Sequence, residues 1–221
     1  MGYTFQFATI ASFLPDLFAG ALLTLRLSTL ALVFGLTLGI LAAVARTYGN
    51  APSRWLATGY VEVIRNTPFL IQLYFVFFVL PNFGLRLSPE RAAMLAMTVN
   101  FGAYATEIVR AGIEAVPHGQ IEAGRALGLR RLQIMRFIIL FPALRAVYPA
   151  LTSQFVLLLL GSSIVSAIAA EELTAVANNI NMTTFRSFEV YLTATAMYVC
   201  MALGFKLLFG GVHALVFQER G

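Results

Sequence analysis

Among the polar side chains that fall inside strongly apolar stretches of the sequence, seven are candidates for contact with a solute. Amide, hydroxyl and carboxyl groups can donate hydrogen bonds to an anionic group of a solute and accept them from a cationic one. Because polar side chains are costly in hydrocarbon, they usually face protein or a water-filled cavity. The candidates for such a polar pathway are Gln72, Asn100, Tyr104, Glu107, Gln154, Ser162 and Ser163.

Two of the local patterns have simple structural interpretations. Glu107 precedes Arg110 by three positions, so the two charges share a helix face and can neutralise each other. The alternative is that Glu107 faces a solute. Asn66, Thr67 and Pro68 predict a helix kink, and binding of a solute there is the alternative. Gly35 and Gly39 are spaced for close contact between helices.

The residue types needed for catalysis on this chain are poorly represented. His118 and His213 are far apart in sequence and have no supporting cluster, and Cys200 is the single cysteine. The single lysine, Lys206, is followed by leucine, whereas a phosphate-binding P-loop requires Gly-Lys-Ser/Thr. We therefore expect no enzymatic activity, metal or cofactor on this chain.

The composition predicts a membrane protein. Apolar residues make up 59% of the 221 residues and charged residues 11%, with a mean hydropathy of +0.82. Soluble domains are nearer half apolar and a quarter charged, and disordered chains need low hydrophobicity. A soluble fold of this size has too little interior to hide so much apolar surface.

Long uncharged runs predict five membrane-spanning helices. A hydrocarbon core about 30 Å thick requires roughly 20 apolar residues per helix, whereas the strands of a β-barrel would alternate in shorter segments. The predicted spans cover approximately residues 20–45, 62–81, 90–112, 147–170 and 189–216. Residues 4–18 predict a short helix in the membrane interface, because Pro15 interrupts the apolar run. Extension of the first span is the alternative.

The arginines predict the orientation of the chain. Cytoplasmic connections carry an excess of Lys and Arg. Arginines are concentrated between spans one and two and between spans three and four, and Arg220 follows the last span. The other connections carry Asp16, Glu90 and Glu171 among their charges. The N-terminus is therefore predicted outside the cell, and this distribution accounts for the net charge of +5 without nucleic-acid binding.

The connection over residues 113–137 predicts a helical hairpin on the cytoplasmic side. Pro117 ends the third span, residues 120–127 begin a new helix, and Gly128 ends that helix. A short basic loop has no core of its own, so its apolar residues need a partner surface. These residues are Ile121, Leu127 and Leu129.

Four blocks of sequence carry a recognisable pattern, namely residues 23–28, 61–72, 102–113 and 119–129, and the last block contains Glu122-Ala123-Gly124 and Gly128. The last block resembles the "EAA" loop of the permeases of bacterial ABC importers. More narrowly, the four blocks resemble the polar amino acid permease family, which serves histidine, glutamine, glutamate, arginine and opines. All four occur in order between the predicted spans, and the resemblance covers residues 14–215.

The chain departs from the family pattern in three places. Pro142 is displaced by one position, and Gly124 replaces an alanine of the loop. Leu160 and Gly161 replace a charged pair that is frequent in span four. The last departure leaves open whether this subunit or a sister permease holds the substrate.

The resemblance implies an all-α membrane protein with the type I ABC importer permease fold, formed by one transmembrane domain over residues 1–221. It implies that the cytoplasmic loop is a coupling helix that docks onto an ATPase. The residues matching that role are Gly119, Glu122, Ala123, Gly124, Ala126, Leu127 and Gly128. The substrate would pass midway between the helices that carry the seven polar residues.

The resemblance also implies an assembly in the bacterial inner membrane. The expected partners are two ABC ATPases that bind ATP and Mg²⁺, a second permease, and a periplasmic or lipid-anchored solute-binding protein. The second permease is either identical or a sister chain, and which amino acid is carried stays open.

Three other classes of function compete with an ABC permease. An ion-coupled secondary transporter would usually need more spans and an inverted repeat, and the five predicted spans show no internal repeat. A scaffolding membrane protein would not need intramembrane Gln, Asn and Glu. A membrane enzyme lacks a catalytic cluster.

Overall fold

A computed structural model describes residues 4–217, and all regular secondary structure in that range is helical. The helices are α1 (Phe7–Ala11), α2 (Leu14–Tyr48), α3 (Ala51–Arg65), α4 (Phe69–Tyr74), α5 (Pro89–Glu114), α6 (His118–Ala126), α7 (Arg131–Gln133), α8 (Leu140–Gly161), α9 (Leu173–Thr184) and α10 (Ser187–Phe217). π-helical turns cover Phe75–Val79 and Ile134–Ile139, and 3-10 turns cover Leu80–Phe83 and Ser162–Ile168. The predicted cytoplasmic Arg220 lies outside the described residues.

Four of the described helices are long and apolar enough to cross a membrane, namely Leu14–Tyr48, Pro89–Glu114, Ile134–Ile168 and Ser187–Phe217. A fifth crossing is obtained when the bent pair Ala51–Arg65 and Phe69–Phe83 is counted as one span. The five predicted spans therefore correspond to this upper count.

The second span, predicted as one kinked helix over residues 62–81, is more sharply divided than expected. The chain is already helical from Ala51, and its direction changes by 110° at residues 66–68. The kink predicted at Pro68 is thus a full break, because proline has no N–H and pushes the preceding residue out of helical geometry.

The start of the first span also differs from the expectation. Residues 4–18 do not form one surface helix, since α1 ends at Ala11 and α2 already begins at Leu14. Pro15 lies in the first turn of α2 rather than interrupting the helix. Its missing N–H has no cost there, because the first amides of a helix lack intrahelical partners.

Helices α2 and α5 pack closely through the glycines predicted for this role. A Cβ placed on Gly35 would lie 2.9 Å from the Phe101 ring, and one on Gly39 would lie 2.7 Å from the Cβ of Ala105. Side chains at these positions would force the helices apart. The predicted packing function of both glycines is confirmed.

The main apolar core lies in the middle of the bundle between α2, α4, α5 and α8. Its fully buried members include Leu73, Met97, Phe101 and Phe155. At one end of the bundle, Arg46 of α2 meets Glu107 of α5, next to the connection that carries α6. We call this the α6 end. At the opposite end, which we call the distal end, a second cluster contains Ile10, Leu17, Leu173 and Val190.

Candidate functional site

The break between α3 and α4 is closed by the side-chain amide of Gln72. Its Nε2 donates to the carbonyl oxygen of Ile64 at 2.7 Å and to that of Thr67 at 3.0 Å. In a continuous helix the Ile64 carbonyl would accept from residue 68, but Pro68 has no N–H. The amide thus replaces a backbone hydrogen bond that the sequence makes impossible.

Asn100 of α5 joins this arrangement from across the bundle. Its Nδ2 donates to Oε1 of Gln72 at 2.9 Å. Both side chains are half-buried. Among residues 4–217, no donor to the Oδ1 of Asn100 is recorded, so that oxygen can accept a hydrogen bond from a solute. Two of the seven candidates are therefore in direct contact, and they link the helix break to α5.

Arg65, which the sequence did not single out, lies beside Tyr104. Its guanidinium carbon is 5.5 Å from the centroid of the Tyr104 ring, which is a cation–π distance. Arg65 is the last residue of α3 and is exposed. The signal that pointed to it was its place in the matched block over residues 61–72, directly before the residues of the break.

Glu107 is engaged by two arginines. One carboxylate oxygen meets Arg46 of α2, and the other lies 2.9 Å from Nη2 of Arg110. Arg110 in turn lies 2.7 Å from Glu114. The predicted pairing of Glu107 with Arg110 is confirmed, and Arg46 extends it into a link between α2 and α5 at the α6 end.

The candidates on α8 and the turn after it stand apart from this cluster. The hydroxyl of Ser162 donates to the carbonyl of Leu159 at 2.7 Å, and that of Ser163 to the carbonyl of Leu160 at 2.9 Å. Ser162 is buried, and Ser163 lines a cavity beside α10. No recorded hydrogen bond joins Gln154 to Gln72 or Asn100. The structure therefore divides the seven residues into separate groups.

A buried carboxylate at the distal end was not anticipated. Glu172 follows Glu171 in a connection between spans, yet it is fully buried and accepts from Tyr198 at 2.6 Å. It also accepts from the N–H of Ala175 at 2.9 Å and from Thr24 at 3.4 Å, while Thr24 accepts from the N–H of Leu173. Glu172 thus begins α9 and ties it to α2 and α10.

The loop between α5 and α8 forms the expected helical hairpin at the α6 end. Helix α6 covers His118–Ala126, and Gly128 follows with φ +75°, a left-handed conformation that glycine adopts without steric cost. The prediction that Gly128 ends the helix is confirmed.

The hairpin buries more of its apolar surface than expected. Ile121 and Leu129 pack onto a small core with Val116 and Ile134, so they do not need a partner. Gly124 is buried, and a Cβ there would collide with Ile138. Its close approach is therefore within this chain.

A distinct outer surface remains on α6 and the residues that follow it. Leu127 is 81% exposed. Glu122, Gly119, Ala123, Ala126 and Gly128 are exposed as well. Of the residues predicted to couple to an ATPase, all but Gly124 form this surface, which we call the hairpin surface.

Comparison with known sequences decides the family. Residues 35–219 match the family described as binding-protein-dependent transport system inner membrane component. The chain belongs to this family. It is the membrane-spanning permease subunit of an ABC importer, as its sequence motifs predicted.

Individual relatives match the permease over most of its length. The glutamine transport system permease protein of Escherichia coli (strain K12) is 36% identical over 201 residues, covering 90% of this chain and 92% of that one. The L-cystine transport system permease protein of Bacillus subtilis (strain 168) is 36% identical over 195 residues, covering 87% and 83%.

Solved structures show the same fold. An amino acid ABC transporter crystallised with histidines matches with a TM-score of 0.87 and 36% identity, over 94% of the permease and 97% of that chain. An inward-facing MetNI methionine ABC transporter matches with a TM-score of 0.78 at 24% identity, over 94% and 99%. The latter supports the fold alone.

Proposed function

We propose that this permease forms the membrane pathway through which an ABC importer carries a polar amino acid. The observation that carries the proposal is the similarity, over nine-tenths of the chain, to a permease named for glutamine transport. The cystine permease and the amino acid transporter structure point to the same substrate class.

The cluster at the helix break supplies groups that suit a zwitterionic amino acid. Arg65 offers N–H donors to a carboxylate, and the free Oδ1 of Asn100 offers an acceptor to an ammonium group. Gln72 keeps Asn100 in place, and Tyr104 supports Arg65. These four residues are the part of the proposed pathway that the contacts support most directly. Gln154, Ser162 and Ser163 would line it further along α8, and Glu107 lies nearer its α6 end.

The hairpin surface is the proposed contact with the ATPase. Leu127 is apolar and exposed beyond the membrane-spanning helices, and Glu122 places a charge five residues before it. The hairpin core beneath them packs Ile121 of α6 in one cluster with Ile113 of α5 and Ala143 of α8, so a movement of α6 would be passed on to both helices. ATP and Mg²⁺ would be bound by the ATPase.

The proposed orientation places the α6 end in the cytoplasm and the N-terminus outside, in a bacterial inner membrane. The ends of the bundle differ in charge, which supports it. Arg46 and Arg110 lie at the α6 end. At the distal end, one depression is lined by three acidic residues and one basic residue, namely Asp16, Glu90, Glu171 and Arg26. Arginine prefers the cytoplasmic side of membrane proteins.

The proposed complex has two permeases, two ATPases and an external solute-binding protein. A single bundle whose interior is filled by an apolar core leaves no continuous pathway, so a second permease is needed to complete the wall. The second permease is identical or a sister chain.

The test is reconstitution of the complex, purified from its native host, into liposomes with the binding protein on the outer side. We expect uptake of radiolabelled polar amino acids that requires ATP inside and stops when the ATPase carries a Walker-motif substitution. The mass of the intact complex should correspond to two permeases.

Two results would overturn the proposal. Uptake that persists without ATP and collapses with the ion gradient would identify a secondary transporter. A complex that hydrolyses ATP but carries no amino acid in a panel of the twenty common ones would exclude the substrate class.

A further inference from the structure

The single lysine of the permease lies deep within a membrane-spanning helix. Lys206 belongs to α10, eleven residues before Phe217, and it is exposed, as are its neighbours Leu203 and Leu207. With a rise of about 1.5 Å per residue, α10 is about 46 Å long and Lys206 lies about 16 Å from its last residue. It is therefore about 7 Å from the helix midpoint, inside a hydrocarbon core about 30 Å thick.

Lys206 lines a cavity between α8 and α10. The cavity has a volume of about 460 Å³ and is mostly apolar, with Leu160 and Leu203 in its wall. Three hydroxyl-bearing residues also line it, namely Ser163, Thr195 and Tyr198. A volume of this size is in the range of cavities that bind small molecules.

The direction of the side chain favours the cavity over the membrane surface. Side chains on a helix lean toward its N-terminus, which for α10 is the distal end. Thr195 and Tyr198 lie on that side of Lys206, and they share the cavity with it. This lean directs the Lys206 side chain toward the middle of α10 rather than toward its C-terminal end.

Within residues 4–217, no acidic side chain is paired with Lys206. Nor does any acidic residue in that range line the cavity. Glu172 lies behind Tyr198, but its oxygens already accept from Tyr198, Thr24 and Ala175. An intramembrane ammonium without a partner is costly, so a group that neutralises it is expected.

We infer that this cavity is an anion subsite in which Lys206 binds the carboxylate of the transported solute, with Ser163 and Thr195 as hydrogen-bonding neighbours. The inference rests on the proposed function, because it takes the solute to be an amino acid. It gives the carboxylate a second position, between α8 and α10, distinct from the one beside Arg65, so the solute would occupy the two positions in succession.

The first experiment compares Lys206→Met with the charge-preserving Lys206→Arg in the complete complex, reconstituted into phosphatidylcholine nanodiscs. The amino acid that stimulates ATP hydrolysis is found from the twenty common ones and is then compared with its α-amide. For the wild type, we expect the acid to give half-maximal stimulation of ATP hydrolysis at a concentration at least tenfold lower than its α-amide does. That preference should shrink in Lys206→Met and persist in Lys206→Arg.

A chemical rescue separates charge from folding. In a Cys200→Ser background, Lys206→Cys is assembled first and then modified with 2-aminoethyl methanethiosulfonate, which restores an ammonium group of similar reach. Modification should recover the preference for the acid, and the neutral reagent methyl methanethiosulfonate should not. This arm decides the question if Lys206→Met fails to assemble.

Three outcomes would overturn the inference. An unchanged preference in Lys206→Met would show that Lys206 does not contact the carboxylate. A defect that appears only when phosphatidylglycerol is added to the nanodiscs would identify a lipid phosphate as the occupant. If no amino acid stimulates the wild-type complex, the proposed function fails first, and that result is distinguishable from both.

Discussion

At the scale of single residues, the polar groups of the permease serve two different purposes. Gln72 replaces a backbone hydrogen bond that Pro68 removes, so it is already fully engaged by the protein. Asn100 donates to Gln72 but keeps an unengaged acceptor. Two amide side chains that look alike in the sequence therefore differ in role. The amide of Gln72 is structural, and that of Asn100 is free to bind.

Asn100→Ala is expected to weaken the response to substrate without affecting assembly. The loss of one hydrogen bond to a charged group costs about 1.5–3 kcal/mol, which corresponds to a tenfold or larger rise in the concentration for half-maximal stimulation of ATP hydrolysis. Asn82→Ala removes an exposed amide in the 3-10 turn Leu80–Phe83. It is the control and should leave the response to substrate unchanged. An equal response in the two variants would remove Asn100 from the pathway.

Glu107→Gln is expected to lower stability more than Glu114→Gln does. Glu107 is the shared partner of two arginines and its side chain is 21% exposed, whereas that of Glu114 is 55% exposed and meets Arg110 alone. Breaking the partly buried link between α2 and α5 should cost about 2 kcal/mol, and breaking the exposed pair about 0.5 kcal/mol.

The comparison of the two glutamate variants uses chemical denaturation in detergent, followed by circular dichroism at 222 nm. If both variants unfold at the same denaturant concentration, the Arg46 contact adds nothing and the link is only a surface pair.

At the scale of helices, the permease depends on close contact between α2 and α5. Gly39→Ala places a Cβ 2.7 Å from the Cβ of Ala105, so the helices must separate. Overpacking of this kind costs about 1–3 kcal/mol. Gly204→Ala on α10, where no atom lies within 4 Å of the added Cβ, is the matched control.

For this glycine pair, the expected result is a lower unfolding midpoint for Gly39→Ala and an unchanged or higher one for Gly204→Ala. Alanine is favoured over glycine in a helix by about 0.5–1 kcal/mol, so any loss must come from the contact. A Gly39→Ala variant as stable as wild type would show that α2 and α5 can move apart freely.

The turn after α6 is expected to control coupling to the ATPase. Gly128 has φ +75°, and no atom lies within 4 Å of a Cβ added there. Gly128→Val therefore strains the backbone without a clash, at a cost of about 1–2 kcal/mol, whereas Gly128→Asn tolerates this conformation. We expect ATP hydrolysis uncoupled from uptake in the valine variant and normal coupling in the asparagine variant.

The rate of ATP hydrolysis and the rate of uptake are measured for each Gly128 variant in the same liposomes. Normal coupling in Gly128→Val would show that the shape of this turn is not transmitted to the ATPase.

At the scale of the whole molecule, the orientation of the bundle can be tested by labelling cysteines in intact cells. In a Cys200→Ser background, Pro52→Cys and Leu127→Cys should react with a membrane-impermeant maleimide only after the cells are opened. Leu85→Cys, in the segment that joins the 3-10 turn Leu80–Phe83 to α5, should react from outside the cell. Leu127 and Leu85 are 81% and 59% exposed, so access is not limiting.

A reversed pattern of labelling would invert the proposed topology. Gly124 lies in the same loop but is unsuitable for labelling, because a side chain there collides with Ile138.

The amino-acid sequence by itself determined the class of the molecule, the number of long apolar segments and the family. These features depend on composition, on runs of about 20 apolar residues and on motifs contiguous in the chain, so no fold is needed to recognise them. The same holds for the ion pair of Glu107 with Arg110 and for the end of α6 at Gly128. Both features involve residues only a few positions apart. Because the local geometry of a helix is the same in every helix, their positions in the sequence are enough to predict them.

Only the tertiary structure decided which polar groups meet. Arg46 reaches Glu107 across 61 positions of sequence, and Thr24 reaches Glu172 across 148. Contacts of that separation depend on how α2 packs on α5 and α9, which no local pattern encodes. The burial of Glu172 was missed for this reason, and the bend at Pro68 was underestimated. A proline shows where a helix stops, but the direction in which the chain continues is set by Gln72 and Asn100, which join the broken ends to a neighbouring helix.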